Sequence, residues 1–179
     1  MAWRQIEVLR SAMPSFSTTR RVPFTPRQMF DLVADVERYP EFLPLCEGLT
    51  IKQRECEGDR QILMAEMTVG YRAIRETFAS RVVLDPARLQ VRAGSPPGYA
   101  GGPFRQLENR WSFADAPDGC DVRFFISYEF RSLMLQMLVG SLFDRVFRRY
   151  TLAFEDRARS VYGQSRARSL PGAQPPQGR

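Results

Sequence analysis

Histidine is absent from the 179-residue chain, and Lys52 is the single lysine. The absence of histidine excludes Ser/His and Cys/His nucleophilic catalysis and every metal site that needs an imidazole ligand. The sequence also lacks a glycine-rich dinucleotide fingerprint and a Walker-type phosphate loop. An enzyme with this sequence would have to work with carboxylates, tyrosine, arginine, cysteine or Lys52. We assign no catalytic residue, no catalytic cofactor and no metal site, and we expect a protein that is not an enzyme.

Cysteine is scarce and long apolar runs are missing. The three cysteines, Cys46, Cys56 and Cys120, form no Cys-x-x-Cys pair, so we expect reduced thiols in a cytoplasmic protein. The longest apolar run, at residues 133–143, is about half the roughly 20 residues that span a bilayer, and we predict no transmembrane helix. Residues 1–13 lack the apolar centre of a secretory signal, and we interpret them as an N-terminal extension.

The basic charge is concentrated at the C-terminus. The net charge is +6, but residues 157–179 contain five arginines and no acidic residue. The rest of the chain is therefore nearly neutral. Because its end is rich in proline, glycine and glutamine, we predict that residues 163–179 form a disordered basic tail. Such a tail could attract RNA or anionic lipid weakly, or have no consequence beyond its own solvation.

Over the whole chain, 44% of the residues are apolar and 12% are aromatic. This composition predicts one domain with a sizeable core, which we place at residues 14–162. A first strand pattern at residues 16–24 precedes a helix with Thr25 as N-cap and Pro26 in its first turn. Six further strand patterns are separated by turn signals such as Gly58-Asp59. They occupy residues 49–55, 61–71, 73–84, 89–93, 105–113 and 121–130.

Apolar residues then recur every three or four positions from residue 133 to residue 162, which predicts one helix of roughly 45 Å. Successive strands joined by short turns imply a curved antiparallel sheet. The expected fold is therefore α+β, of the helix-grip type, in which the sheet wraps around the long C-terminal helix. The first turns of that helix are apolar on nearly all sides. This pattern indicates either an apolar contact surface at the entrance to a cavity or simple burial under neighbouring loops.

A curved sheet cannot follow a straight helix everywhere, and two features favour a cavity between them. On the strand at 73–84, Glu76 and Ser80 share the alternation of the apolar side chains, so an inward face would bring polar groups into an apolar interior. Alternatively, this face points outward, or Glu76 pairs with an arginine. The Gly/Pro-rich loop at residues 94–104 could cover a cavity mouth or merely connect two strands.

Three segments carry a resemblance to a known family: YPEFLPLC at residues 39–46, FRQLENRWSF at 104–113 and FDRVFRRYTLAFEDRA at 143–158. With the order of strands and helices, they resemble the coenzyme Q-binding, START-like branch of the polyketide cyclase and lipid-transport superfamily. The resemblance spans about residues 14–162. It implies a hydrophobic tunnel between sheet and C-terminal helix, with ubiquinone or a related isoprenoid lipid as ligand. It also implies a quinone carrier or chaperone that supports respiratory electron transport without catalysing a step.

Prolines in YPEFLPLC predict an irregular segment, which we expect to form a lid-like wall near the tunnel end. The alternative is a hydrophobic plug on the core. The inward strand face, the second motif and the face of the long helix that roofs the tunnel complete the set of expected ligand-binding residues. They are Tyr39, Pro40, Phe42, Leu43, Pro44, Phe78, Trp111, Phe113, Leu138, Leu142 and Phe143.

Two other functions stay open. Close bacterial relatives in the family are described as a toxin that blocks association of the ribosomal subunits, and the basic tail could contact RNA phosphates. A small-molecule cyclase could use Glu76 or Tyr128 as acid or base, although the sequence offers neither histidine nor a clustered carboxylate pair. The expected partners are thus an isoprenoid quinone or other lipid, with peripheral contact to the inner membrane, or the ribosome and its RNA.

Overall fold

A seven-stranded antiparallel sheet in the order β1-β7-β6-β5-β4-β3-β2 forms the framework of the molecule. The computed structural model describes the backbone of residues 14–71 and 73–168, and their side chains except those of 138–144 and 164–168. The strands are β1 (Ser15–Val22), β2 (Cys46–Glu57), β3 (Arg60–Tyr71), β4 (Ile74–Asp85), β5 (Gln90–Gly94), β6 (Phe104–Ala116) and β7 (Gly119–Phe130). The helices are α1 (Pro26–Ala34), α2 (Tyr39–Phe42) and α3 (Leu133–Arg168).

Helix α1 begins where the sequence predicts it. The Thr25 hydroxyl accepts a hydrogen bond from the Gln28 backbone N–H at 3.2 Å, and the Gln28 side chain accepts one from the Thr25 N–H at 2.9 Å. This reciprocal capping box, with Pro26 in the first turn, stabilises the helix start by about 1 kcal/mol. The buried side chains of Met29 and Phe30 lie on the face of α1 that packs against β6 and β7. Helix α1 therefore covers one end of the sheet.

The YPEFLPLC segment is only partly irregular. Its first half is the short helix α2, with Pro40 in the first turn, where the fixed φ and missing N–H of proline are tolerated. The prediction of an irregular segment is wrong for this half and right for the second, since Leu43 is extended and Leu45 has a φ of 66°. The Leu45 carbonyl accepts a hydrogen bond from the Gly70 N–H at 2.9 Å. This bond ties the segment to the last residues of β3.

The pairing of the strands decides which side chains face α3. Ala65 on β3 lies opposite Ser80 on β4, while Val82 on β4, Ala93 on β5 and Asn109 on β6 form one row across three strands. Residues paired in this way project from the same face of a sheet, and their neighbours along each strand project from the other. The sheet therefore presents one face to α3 and one to the outside.

Helix α3 is anchored to this face by aromatic rings. Phe154 is 2% exposed, and its ring centroid lies 4.9 Å from that of Trp111 on β6. The rings of Tyr39 and Phe42 on α2 meet Phe154 edge to face, at 5.3 and 5.2 Å. Such aromatic pairs add about 0.5–1.5 kcal/mol each beyond the burial of their surface. One cluster thus joins the sheet, α2 and α3.

The predicted α+β helix-grip architecture is confirmed, with all seven strands and the long helix at the expected places. Helix α3 extends to Arg168, so the first part of the segment predicted to be disordered is helical. Four of its six residues, Gln164, Arg166, Ala167 and Arg168, are good helix formers, and the prolines follow only from position 171. The predicted extension at 1–13 and the tail at 169–179 lie outside the described residues.

The three cysteines are free thiols, as predicted. Among the helices that the structure describes, none has both the length and the apolar character needed to cross a membrane.

Candidate functional site

An apolar cavity of about 210 Å³ lies between the sheet and α3. Strands β3 to β7 form its floor, with side chains such as Ala65, Val82 and Ile126, and α3 closes it with Phe147 and Tyr150. An apolar cavity of roughly 150 Å³ can hold a benzene molecule. The space is therefore large enough for a substituted six-membered ring and too small for a long hydrocarbon chain.

One end of the cavity is built from surface segments. The hairpin between β3 and β4 contributes Tyr71 and Ile74, the loop before β6 contributes Pro103, and the first turn of α3 contributes Leu135. None of these four positions lies in the interior of a central strand. This end is the natural mouth of the cavity, because loops and element ends can move more readily than paired strands.

The Gly/Pro-rich loop before β6 lies against the cavity wall. Gly102 has a φ of 74°, and a Cβ added there would come within 3.0 Å of the Phe78 Cβ. Glycine is thus required both for the backbone conformation and for the close approach. The rings of Phe78 and Phe104 then meet edge to face at 5.0 Å. Because Pro103 and Phe104 both line the cavity, the loop is part of the mouth and not a plain connector.

Large apolar side chains are exposed beside the mouth. Leu133, Met134 and Met137 in the first turns of α3 are 78%, 65% and 77% exposed. The alternative that these turns are simply buried under loops is wrong for these three residues. Contiguous exposed apolar residues of this kind mark contact surfaces for lipid or protein, and methionine makes such a surface adaptable.

Four of the predicted ligand-binding residues line the cavity: Tyr39, Leu43, Phe78 and Trp111. The YPEFLPLC segment therefore contributes to the cavity wall, and its action as a lid stays a prediction. The side chains of Leu138, Leu142 and Phe143 lie outside the described residues.

The other four predicted residues, Pro40, Phe42, Pro44 and Phe113, are not part of the described cavity wall. The Phe42 ring packs on Phe154 and lies 5.4 Å from the Arg157 guanidinium. Phe113 lies beyond the cavity, where its ring centroid is 6.3 Å from that of Phe30 on α1. Phe42 thus packs against a residue of the cavity wall, Phe154, whereas Phe113 belongs to the core beneath α1.

Two tyrosines of the wall and a nearby cysteine are held in their neutral forms. The Tyr39 hydroxyl donates a hydrogen bond to the Val33 carbonyl at 2.6 Å, and desolvation on burial raises the pKa of Tyr39. Desolvation also raises the pKa of the Cys46 thiol to about 11, so this thiol is a poor nucleophile at neutral pH. Tyr150 likewise has a pKa raised by desolvation. The side chains described contain no cluster of acidic and cysteine residues that could hold a metal ion.

Three polar side chains interrupt the apolar wall: Glu76 and Ser80 on β4 and Asn109 on β6. The inward orientation considered for Glu76 and Ser80 is thus correct, and no arginine with a described side chain pairs with Glu76. Ser80 is 8% exposed. The Asn109 Oδ1 atom is buried and has no hydrogen-bond partner among the side chains that the structure describes. A buried acceptor left without a donor costs about 1–3 kcal/mol, and in a cavity wall a ligand can supply the missing donor.

Asn109 is a cavity residue that sequence reasoning missed. It lies two positions before Trp111 on the same strand, so strict alternation would have placed it on the same inward face. Its polar side chain hides this signal, because a strand pattern is recognised by its apolar positions.

Comparison with known proteins finds a matching family model, related sequences and related structures. The family model described as "Polyketide cyclase / dehydrase and lipid transport" matches residues 22–155. The chain is 32% identical over 149 residues to the ribosome association toxin RatA of Rickettsia prowazekii, a match that covers 83% of this chain and 99% of that protein. It is 33% identical over 161 residues to the mitochondrial coenzyme Q-binding protein COQ10 homolog B of Xenopus laevis, covering 88% of this chain and 63% of that protein.

A solved structure of a START superfamily protein from Mycobacterium smegmatis has the same fold. It superimposes with a TM-score of 0.67 at 21% sequence identity, and the match covers 82% of this chain and 98% of that one.

Proposed function

The chain belongs to the polyketide cyclase / dehydrase and lipid transport family, and from this premise we propose that it binds an isoprenoid quinone such as ubiquinone. The quinone ring would occupy the cavity between the sheet and α3. In this proposal the protein is a carrier or chaperone of the quinone that supports respiratory electron transport. The observation that carries the proposal is the cavity itself, which is apolar, of ring size, and bordered at one end by exposed apolar residues.

The size of the cavity decides how such a ligand would bind. About 210 Å³ accepts the ring but not a tail of many isoprene units. The tail would leave through the mouth and run over the exposed side chains of Leu133, Met134 and Met137, or stay in a lipid bilayer. Each CH₂ group removed from water contributes about 0.8 kcal/mol. The first isoprene units can therefore supply affinity without any polar recognition.

The chemistry of the wall favours binding over catalysis. A cyclase needs an acid or base in contact with the reacting atoms, and usually a second group that tunes it. On the described wall, Glu76 has no titratable side chain bonded to it, and the thiol of Cys46, which does not line the cavity, is held protonated by its raised pKa. Absence of catalysis is therefore part of the proposal.

Freshly purified protein should contain quinone in a near-stoichiometric amount when it is extracted with organic solvent and examined by mass spectrometry. Burial of the ring in the apolar cavity would keep the ligand bound during purification. The matched control is an unrelated protein of similar size purified from the same cells, which should contain none. Protein that is empty and that also fails to take up a short-chain ubiquinone would contradict the proposal.

A second function, association with ribosomes, is favoured by the outer face of the sheet. Arg92 on β5 lies directly opposite Arg110 on β6, an arrangement in which like charges repel. Arg110 pairs with Glu108 at 3.3 Å and lies 4.2 Å from the ring centroid of Phe125. No acidic partner of Arg92 occurs among the described side chains. Arginines beside a partly exposed aromatic ring are suited to RNA phosphates and bases. The similarity to the ribosome association toxin RatA also supports this second function.

The double substitution Arg92→Ala/Arg110→Ala tests this second function. If the face contacts ribosomal RNA, the variant should sediment less with ribosomal subunits, and the salt dependence of binding should fall by about 0.7 in log–log slope per lost phosphate contact. Arg27→Ala/Arg38→Ala is the matched control, because it removes the same charge from the helical side. A 70S fraction that the wild-type protein leaves unchanged would contradict ribosome association without affecting the quinone proposal.

A further inference from the structure

The described wall of the cavity carries a single charged side chain, that of Glu76 on β4. Every other described residue of the wall is apolar or bears an uncharged polar group, as Ser80, Asn109 and Tyr150 do. The described wall therefore offers a carboxylate and no cation. A charge in apolar surroundings is costly unless a partner or water offsets it, so Glu76 sets a condition on the charge of any ligand.

The cations nearest to Glu76 along the chain or around the mouth are engaged elsewhere. The adjacent Arg75 points to the opposite face of the strand, where its Nε atom lies 2.6 Å from Glu47 Oε2. Arg131, just before α3, donates a hydrogen bond to the Phe104 carbonyl at 3.1 Å. Among the described side chains, none forms an ion pair or a hydrogen bond with Glu76. The carboxylate is thus left free to interact with a ligand.

Glu76 stands just inside the mouth of the cavity. It is two residues from Ile74 in the hairpin at the mouth, a distance of about 7 Å along the strand, and it lies opposite Val69 on β3. Its side chain is partly exposed, so water can still solvate the carboxylate in the empty protein. A ligand that enters through the mouth passes this negative charge or leaves its head group beside it.

Both orientations of an anionic amphiphile are unfavourable in this cavity. With its carboxylate or phosphate at the mouth, the ligand lies beside Glu76, and the apolar wall makes the repulsion stronger than it is in bulk water. With the charged group inside, the ligand gives up its hydration to a wall that has no described cation. A neutral ring avoids both penalties, and a cationic head group at the mouth would be attracted.

We propose that Glu76 makes the cavity selective by charge: neutral isoprenoid lipids and amphiphilic cations are accepted, whereas fatty-acid carboxylates and lipid phosphates are rejected. This inference rests on the proposed binding of an isoprenoid quinone and names the property that distinguishes this ligand from its competitors. A quinone is uncharged, whereas the more abundant lipids of a membrane carry phosphate or carboxylate groups. Rejection by charge then gives a specificity that an apolar wall does not provide.

The test compares three ligands that share a chain of ten carbons and differ in the end group: decanoate, decanol and decylammonium. Dissociation constants are measured by calorimetry with the ligand-free full-length protein, at neutral pH and low salt. In the wild-type protein, decanol and decylammonium should bind at least about tenfold more tightly than decanoate.

Substitution of Glu76 isolates the effect of its charge. Glu76→Gln keeps the size and the hydrogen-bonding capacity of the side chain. Compared with the wild-type protein, the variant should bind decanoate about tenfold more tightly and decylammonium about tenfold more weakly. Its affinity for decanol should change by less than about threefold. A change in the shape of the cavity would shift all three affinities in one direction, so opposite shifts of the anion and the cation identify charge as the cause.

Glu66→Gln is the matched control, because it changes the net charge of the protein by the same amount. Glu66 lies opposite Ala79 on the face turned away from α3 and pairs with Lys52 at 3.2 Å. This variant should keep all three affinities within about threefold of the wild-type values. Salt gives a second readout: between roughly 0.01 and 1 M the Debye length falls from about 30 to about 3 Å, and the wild-type differences should shrink, because Glu76 is partly exposed.

The outcomes are distinct. Affinities for decanoate and decylammonium that are the same in Glu76→Gln as in the wild-type protein would overturn the inference and leave the proposed function intact. Shifts of all three ligands in one direction would also overturn it, because they would assign Glu76 a structural role. A protein that binds neither decanol nor a short-chain ubiquinone would overturn the proposed function itself, and the inference with it.

Discussion

We expect the variant Ala65→Phe to lose its bound quinone while it keeps its fold. Ala65 is buried on β3, lines the cavity, and lies opposite Ser80. A phenyl ring at this position would project into the space of about 210 Å³ that the quinone ring is proposed to occupy. We expect the affinity for short-chain ubiquinone to fall at least about tenfold, which corresponds to roughly 1.4 kcal/mol. Extraction with mass spectrometry, and calorimetric titration of the emptied protein, measure the effect.

The control for this variant is Ala79→Phe, on the neighbouring strand. Ala79 lies opposite Glu66 on the face turned away from α3, so the same added ring would not reach the cavity. Its quinone content should equal that of the wild-type protein. Overpacking can cost about 1–3 kcal/mol, and circular dichroism with thermal unfolding establishes that Ala65→Phe is still folded. Equal quinone content in the two folded variants would refute binding in this cavity.

The variant Phe154→Ala should be destabilised by about 3–5 kcal/mol, the usual cost of truncating a buried phenylalanine. Phe154 is 2% exposed and contacts Trp111, Tyr39 and Phe42. Its loss removes a contact shared by the sheet, α2 and α3. Domains of this size are stable by about 5–15 kcal/mol, so a large share of the stability would be lost. Urea unfolding followed by circular dichroism measures the change in the free energy of unfolding.

Leu152→Ala provides the comparison, because Leu152 is on the same helix and 47% exposed. A substitution at the surface should change the free energy of unfolding by no more than about 0.5 kcal/mol. Similar losses of stability in both variants would contradict the anchoring role of Phe154. A changed m-value in Phe154→Ala would show instead that the substitution alters the compactness of the native or denatured state, or that unfolding is no longer two-state.

Local patterns predicted the elements well. The capping residues Thr25 and Pro26 mark the start of α1, because a helix start depends on hydrogen bonds within four residues. Alternation in β4 predicted that Ser80 and Glu76 share one face with Phe78, and all three line the cavity. Such alternation depends only on the geometry of one strand.

The same patterns were less informative about the cavity wall. Phe113 faces inward as alternation requires, yet α1 covers it through Phe30, and only the position of α1 on the sheet decides this. Phe42 belongs to a motif that resembles the family, but α2 turns its ring onto Phe154. Asn109 went unnoticed because a polar residue on an apolar face weakens the pattern by which the face is recognised.

The sequence by itself determined which chemistry is excluded and which elements form. The absence of histidine rules out imidazole catalysis, and the alternation and helical periods specify seven strands and a long helix. Tertiary structure alone decided that a space of about 210 Å³ remains between sheet and helix, and that the polar side chain of Asn109 lies at its wall. The physical reason is the range of the interactions. Periodicity and capping act between residues a few positions apart. A cavity depends instead on the curvature of the sheet and the position of α3, and both result from contacts between distant parts of the chain.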